Sequence, residues 1–444
     1  MQHGHDSARD DAPTRAIVLR PDLPRKGPTP LTAASLDEAV SLARGIGLDV
    51  VSAREVRVSR PRAATLFGEG VLEEAKTTAK GLEADLLIVD GALTPAQQRN
   101  LERTVDLKVL DRTGLILEVF GARARTREGV LQVSLAALSY QRTRLVRSWT
   151  HLERQRGGAG FTGGPGERQI ELDRRQIDDQ IDRIKRQLEE VRRTRAEHRK
   201  GRARGETPTV ALVGYTNVGK STLFNRLTGA GVLSADQLFA TLDPTMRKIE
   251  LPSGRDAILS DTVGFIAELP TQLVEAFRAT LEEVTEADVV LHVHDLSNPD
   301  CHAQARDVIG VLEELGVTAA DRTILDVYNK ADAASPADRT TVAGDVAAGR
   351  AVVVSAQTGE GVDELLGRID AILAREATEV AIRVPFGEGG ALAWLHRVSY
   401  EIQTEEAGGE MIVRARLPKA ELDRFMKRWA SVAVVESPQA RVVA

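Results

Sequence analysis

Cysteine is almost absent from this chain: among 444 residues only Cys301 carries a thiol. A disulfide framework is therefore excluded, and a reducing compartment is the natural setting. Long apolar runs are missing as well. No stretch approaches the roughly 20 residues that a membrane-spanning helix requires. The opening segment MQHGHDSARDD is polar and lacks the apolar core of a secretory signal. These absences predict a soluble, cytoplasmic protein with no membrane span. Hydrophobic residues at 42% and charged residues at 28% give a globular balance rather than a disordered one. The length allows two to four domains.

Charge is unevenly spread. The net charge is −6, yet Gly121 to Thr207 holds 21 Lys and Arg against 12 Asp and Glu, a local +9 that leaves −15 for the rest. Such an asymmetry predicts one segment that meets a polyanion and others that do not.

Residues 1–121 alternate short apolar runs with helical patterns. Strands are expected at Arg15–Leu19, Val50–Val58, Asp85–Val89 and Lys108–Leu110, with helices at Ser35–Ile46, Glu69–Lys80 and Pro95–Val105. That spacing implies a small parallel sheet covered by helices. Residues 122–206 change period. Leu131, Leu135, Leu138, Arg142, Leu145, Trp149 and Leu152 step by four and three, as do Ile170, Ile177, Ile181, Ile184, Leu188 and Val191 after a break. Two such helices fold back as an antiparallel hairpin. Its tip, Arg156 to Gly166, reads as a loop too rich in glycine for helix, and His198 to Gly205 as a basic linker. Residues 207–376 form a second α/β domain. Residues 377–444 order their elements strand, helix, strand, strand, helix, strand, a small α+β domain.

The chemistry concentrates in the second α/β domain. The strand Val210–Val213 runs into Gly214, Tyr215, Thr216, Asn217, Val218, Gly219, Lys220 and Ser221, then into a helix from Thr222. This is G-x-x-x-x-G-K-S in its strand–loop–helix setting. Backbone N–H groups and the helix N-terminus can wrap phosphates, Lys220 supplies a point charge to the β/γ-phosphates, and Ser221 a hydroxyl for Mg²⁺. Next come Asp261, Thr262, Val263 and Gly264, in which Asp261 can hold Mg²⁺ through water and the Gly264 N–H can reach the γ-phosphate. Asn329, Lys330, Ala331 and Asp332 follow a strand. The Asp332 carboxylate can accept both N–H groups of guanine's Watson–Crick edge, which adenine lacks. Ser355, Ala356 and Gln357 then follow the strand Ala351–Val354 and can meet the guanine O6. Each motif alone is a weak signal, whereas their order predicts a G domain that binds and hydrolyses GTP with Mg²⁺.

A switch threonine for Mg²⁺ should lie between the P-loop and Asp261. Phe239, Ala240, Thr241, Leu242 and Asp243 carry the preferred candidate, Thr241; Thr245, after Pro244, reads as a turn residue. Lys220, Thr241 and Gly264 are thus the groups expected to act on the γ-phosphate. Where Ras-like enzymes place a water-orienting Gln, this chain has Phe265. Intrinsic hydrolysis should be slow, with another residue or a partner completing the site. His292 and His294 on the strand Val289–His294 read as structural.

With these residues in view, the chain resembles HflX, a family of ribosome-associated GTPases in the Obg–HflX group. The resemblance rests on GYTNVGKSTLFNRLTG (Gly214 to Gly229), LFATLDPT (Leu238 to Thr245), DTVGFIAELP (Asp261 to Pro270) and RQRGGAGFTGGPGERQIELDRR (Arg154 to Arg175). It implies binding to the large ribosomal subunit and its RNA, and splitting of stalled ribosomes. It also supports Thr241 as the switch residue and accounts for a hydrophobic Phe265. One departure stands out: relatives often carry G-x-G-K near the second N-terminal helix, but here the segment reads Gly68, Glu69, Gly70, Val71. A nucleotide role for the first domain is not expected, and these glycines read as the turn leading into a helix. The expected partner is a ribosome rather than DNA, and the expected state a monomer. A GTP-gated ribosome-assembly or storage factor, with slow hydrolysis as a timer, is the alternative reading; a membrane-linked regulator is disfavoured by the lack of any anchor.

Overall fold

The computed structural model describes residues 13–23, 32–155, 165–203, 207–229, 245–266, 283–314, 316–317, 323–375, 378–417, 419–429 and 432–436. The chain divides into two compact units: among the described residues the first takes those up to Arg193 together with Val263–Ile266, and the second takes the rest.

The first unit opens with a parallel four-stranded sheet. Its strands are β1 (Arg15–Asp22), β2 (Asp49–Arg57), β3 (Leu86–Val89) and β4 (Lys108–Asp111), in the order β2-β1-β3-β4. Ala16 to Leu19 of β1 are all buried, as expected of a parallel strand covered on both faces. Helices α1 (Thr32–Gly45), α2 (Glu69–Gly81) and α3 (Pro95–Val105) fall where the periodicity placed them. Thr94 and Gln97 form a capping box at the start of α3, with Pro95 in its first turn. Gly68 is the N-cap of α2 in an extended conformation, the turn into a helix read from the sequence.

A fourth helix, α4 (Arg112–Arg123), was not visible in the pattern. Its residues from Arg112 to Leu117, with Val119 and Phe120, are buried, so apolar positions recur on every side and no stripe appears. Asp111 starts it by accepting the Gly114 N–H at 2.8 Å.

Helices α5 (Arg127–Gln155) and α6 (Pro165–Ala203) form the expected hairpin arms, and Arg142 pairs with Asp178 between them at 2.7 Å. Ile181 and Leu188 of the α6 seam are buried. Among the described side chains of α5 the fully buried positions are Gly129, Gln132 and Ala136, beside the half-buried Leu131, Leu135 and Leu138. The shift has a local cause: the base of α5 packs against α3 and α4, where Tyr140 and Arg144 both reach Asp111. Two expectations need correction. Pro165 and Gly166 belong to α6 rather than to the tip, as suits proline in a first helical turn. The basic stretch from His198 continues α6 as far as Ala203 instead of forming a linker. The remainder of the tip, residues 156–164, lies outside the described residues.

The second unit holds a six-stranded sheet in the order β10-β9-β8-β5-β7-β6. The strands are β5 (Thr209–Gly214), β6 (Thr245–Glu250), β7 (Asp256–Asp261), β8 (Val289–Asp295), β9 (Thr323–Asn329) and β10 (Ala351–Val353). All neighbours are parallel except β6 with β7. Register aligns Gly214 with Val293 and Asp295 with Asn329, so β5, β8 and β9 end together. Among the described residues, helices α7 (Lys220–Thr228), α8 (Cys301–Glu314), α9 (Pro336–Ala347) and α10 (Val362–Arg375) accompany this sheet.

The C-terminal α+β domain has the predicted element order: β11 (Thr378–Pro385), α11 (Gly389–Val398), β12 (Glu401–Ala407), β13 (Glu410–Leu417), α12 (Lys419–Arg428) and β14 (Ala433–Glu436). Its antiparallel sheet, β12-β13-β11-β14, buries Val380, Ile382, Val413 and Leu417 with Leu395 and Phe425. The Arg255 guanidinium lies 3.8 Å from the centre of the Tyr400 ring, a cation–π contact between the G domain and this domain.

Candidate nucleotide site

The site is assembled where β5, β7 and β9 end, the edge at which parallel α/β sheets carry ligands. Two glycines shape the loop after β5. Gly214 has φ +148° and Gly219 φ +90°. A Cβ on Gly214 would run into the Val293 carbonyl, and one on Gly219 into the Asn329 side-chain amide. Both positions exclude any larger residue, because backbone and neighbour occupy the space. Asn217 adopts φ +60°, a left-handed geometry that Asn tolerates better than most.

Lys220 opens α7 and is buried. Its ammonium donates to the carbonyls of Gly214 at 3.0 Å and Tyr215 at 2.7 Å, so the cation sits inside the loop. Burial lowers its pKa to about 8, against the opposing pull of Asp261. The next residue, Ser221, donates its hydroxyl to Asp261 Oδ2 at 2.8 Å. A hydroxyl and a carboxylate side by side are hard oxygen donors of the kind Mg²⁺ takes. Thr262 anchors the end of β7 by donating to the Leu212 carbonyl at 2.6 Å. Val263 and Phe265 are buried, and Gly264 between them is half-buried.

Asn329 ties two loops together. Its Nδ2 donates to the Val218 carbonyl at 2.8 Å, and its Oδ1 accepts the Ala356 N–H at 2.9 Å. Lys330 has φ +62° and pairs with Asp295 at 2.7 Å. Ala331 is buried and its carbonyl accepts from Arg339, which also grips Glu360 with two nitrogens. Asp332 is exposed at the rim and accepts the Ser355 hydroxyl. The Ser355 N–H is taken by the Glu360 carbonyl at 2.9 Å. Within this segment, then, the Ser355 and Ala356 N–H groups serve the loop itself, and the exposed groups are the Asp332 carboxylate and Gln357. Arg226 of α7 supports the same loop by donating to the Ala356 carbonyl at 3.0 Å.

The structure thus brings Gly214 to Ser221, Asp261, Thr262, Asn329 to Asp332 and Ser355 to Gln357 to one edge of the sheet. Phe239, Ala240, Thr241, Leu242 and Asp243 lie outside the described residues. Thr245 opens β6 and is the register partner of Asp261, so it is a strand residue rather than the turn residue expected after Pro244. Sequence reasoning missed Asp295, Arg226, Arg339 and Glu360. Only Asp295 left a trace: a charged residue ending an apolar strand.

His292 and His294 fall outside this set but not outside titratable chemistry. Both are buried, and both face Asp326 of β9. Burial lowers the His292 pKa to about 4 despite its hydrogen bond to Asp326. Burial alone would raise the Asp326 carboxyl, but the two imidazole hydrogen bonds prevail and hold it below the usual range.

Three family models match consecutive parts of the chain. Residues 33–121 match "GTP-binding GTPase N-terminal", residues 123–202 "GTP-binding GTPase Middle Region", and residues 209–330 "50S ribosome-binding GTPase". Among curated proteins, GTPase HflX of Magnetococcus marinus is 51% identical over 93% of this chain and 95% of its own length. GTPase HflX of Escherichia coli is 41% identical over 88% of this chain and 92% of its own. GTPase HflX of Chlamydia pneumoniae is 41% identical over 92% and 90%.

Proposed function

The chain belongs to the HflX family of GTPases, and from that premise we propose that it binds the large ribosomal subunit and uses GTP to split or rescue stalled ribosomes. It hydrolyses GTP to GDP and phosphate. The observation that carries the ribosomal part is the extent of the likeness. It runs through the N-terminal domain and the basic hairpin as well as the G domain. The hairpin's local +9 suits RNA phosphates, and the match to a 50S ribosome-binding family falls on the G domain. Among the described residues no helix is long and apolar enough to cross a membrane. A cytoplasmic monomer fits this role.

In this reading the loop N–H groups from Tyr215 to Lys220 wrap the phosphates. Lys220 exchanges its two carbonyl partners for β/γ-phosphate oxygens. Asp332 reads the guanine N–H pair, and Asn329 keeps the base-reading and phosphate loops in register. Ser221 and Thr241 would hold Mg²⁺ directly and Asp261 through water; when bound, the ion neutralises charge building on the β- and γ-phosphates. Gly264 offers its N–H to the γ-phosphate. Phe265 has no hydrogen-bonding group, so the attacking water is oriented by another residue or by the ribosome.

Sucrose-gradient sedimentation of intact ribosomes tests the proposal. With the protein and GTP, intact particles should give way to separated subunits, and Lys220→Ala should abolish the effect. Large subunits that co-sediment with the protein while intact ribosomes persist would instead favour a GTP-gated assembly or storage factor.

A further inference from the structure

We infer that His292, His294 and Asp326 form a binding site for a divalent transition metal, Zn²⁺ by preference, separate from the Mg²⁺ of the nucleotide site. His292 and His294 are two residues apart on β8, so their side chains share one face of the sheet. Asp326 is the register partner of His292 on the neighbouring strand β9. The imidazole centroids are 4.0 Å apart. One donor atom from each of the three residues lies within 4.8 Å of the others.

Two of the three donor–donor distances are near those a small ion needs. His292 Nδ1 stands 3.4 Å from Asp326 Oδ1, and His294 Nε2 stands 2.8 Å from the same oxygen. A tetrahedral Zn²⁺ with donors about 2.1 Å away spaces those donors about 3.4 Å apart. The first pair already has that spacing. The second needs to open by only a few tenths of an ångström, trading a hydrogen bond for a shared ligand.

A plain aspartate–histidine hydrogen-bond network is the competing explanation, and one observation counts against it. Among the described residues Asp326 has no Lys or Arg within ion-pair distance; its partners are the two imidazoles. A half-buried carboxylate without a cation is an expensive arrangement unless a cation joins it. A metal at Nδ1 supplies the missing positive charge and fixes the His292 tautomer. The ring of Tyr328 stacks on His294 at 4.9 Å and holds its orientation. Asp326 remains partly exposed, which leaves a solvent path for the ion and for a water as fourth ligand. Two imidazoles and one carboxylate favour Zn²⁺ over Mg²⁺, which demands six oxygens.

The test uses the tag-free full chain, stripped with a chelator and kept nucleotide-free in excess Mg²⁺. Zn²⁺ is titrated in competition with a chromophoric chelator, and Co²⁺ is added separately to read its visible d–d absorption. The parent should bind one Zn²⁺ per chain, show the spectrum of tetrahedral Co²⁺, and gain thermal stability from Zn²⁺. His294→Gln and Asp326→Asn should each bind Zn²⁺ more than about 10-fold more weakly and lose the Co²⁺ spectrum, with GDP binding verifying their fold. Ser221→Ala should bind Zn²⁺ as the parent does, which separates this site from the nucleotide site. A parent that takes up no stoichiometric Zn²⁺ overturns the inference, whatever the variants do. So does a folded His294→Gln or Asp326→Asn chain with undiminished affinity.

Discussion

Asn329 and Ala356 are joined by a hydrogen bond from the Ala356 N–H to Asn329 Oδ1 at 2.9 Å, although 27 residues separate them. The same side chain donates to the Val218 carbonyl at 2.8 Å, so one amide ties the Gly214–Ser221 loop to the Ser355–Gln357 loop. Asn329→Ala leaves a buried N–H and a buried carbonyl without partners. It should cost about 2–4 kcal/mol of stability and weaken GDP and GTP alike. Chemical denaturation and nucleotide titration check this. An unchanged midpoint with normal affinity would show that the two loops hold their positions without the amide.

Asp332 stands exposed at the rim with its carboxylate on the Ser355 hydroxyl. Asp332→Asn replaces an acceptor pair by one acceptor and one donor group, which suits xanthine's extra carbonyl rather than guanine's amino group. Competition binding should show affinity falling for GTP and rising for XTP, with the ratio shifting by about 10²-fold, as expected when a base-edge hydrogen bond is left unpaired. Equal preference in parent and variant would remove Asp332 as the base reader.

That these loop residues meet at one edge of the sheet was largely legible in the sequence, because the loops carry fixed spacing. Gly214 and Gly219 leave a mark that no other residue could replace. The supporting ion pair from Asp295 to Lys330 was not legible, because it joins the ends of two strands that sequence does not place side by side. Helix α4 escaped for the opposite reason: buried nearly all round, it shows no amphipathic period. The basic stretch after His198 was misread because Gly201 and its charges look like a linker, whereas Arg, Lys and Ala around it are good helix formers that carry α6 through to Ala203. On α5 the seam period was right and the buried face was not, since packing against α3 and α4 draws Gln132 and Ala136 inward.

Cys301 is buried, and burial, with Asp295 and Asp326 nearby, raises its thiol pKa to about 12. The native thiol should therefore resist alkylation at pH 8 and react promptly once the chain unfolds. The sign of the linked effect on stability follows. Between the ordinary thiol value near ~8.5 and about 12, the unfolded chain loses this proton first, so stability contributed by Cys301 falls as pH rises. Cys301→Ala should flatten that part of the pH–stability curve. Rapid labelling of the folded protein by iodoacetamide at pH 8 would contradict the buried placement.

Phe265 stands where Ras-like enzymes place a water-orienting side chain, and in the proposed function another residue or the ribosome supplies what it lacks. The most direct measurement is single-turnover GTP hydrolysis by the full chain, alone and with purified large ribosomal subunits. Hydrolysis by the free protein should be slow and should rise at least about 10-fold with large subunits, equivalent to a barrier lowered by about 1.4 kcal/mol. A free chain that hydrolyses GTP as fast as the ribosome-bound one would contradict it, and would place a complete catalytic site within the G domain alone.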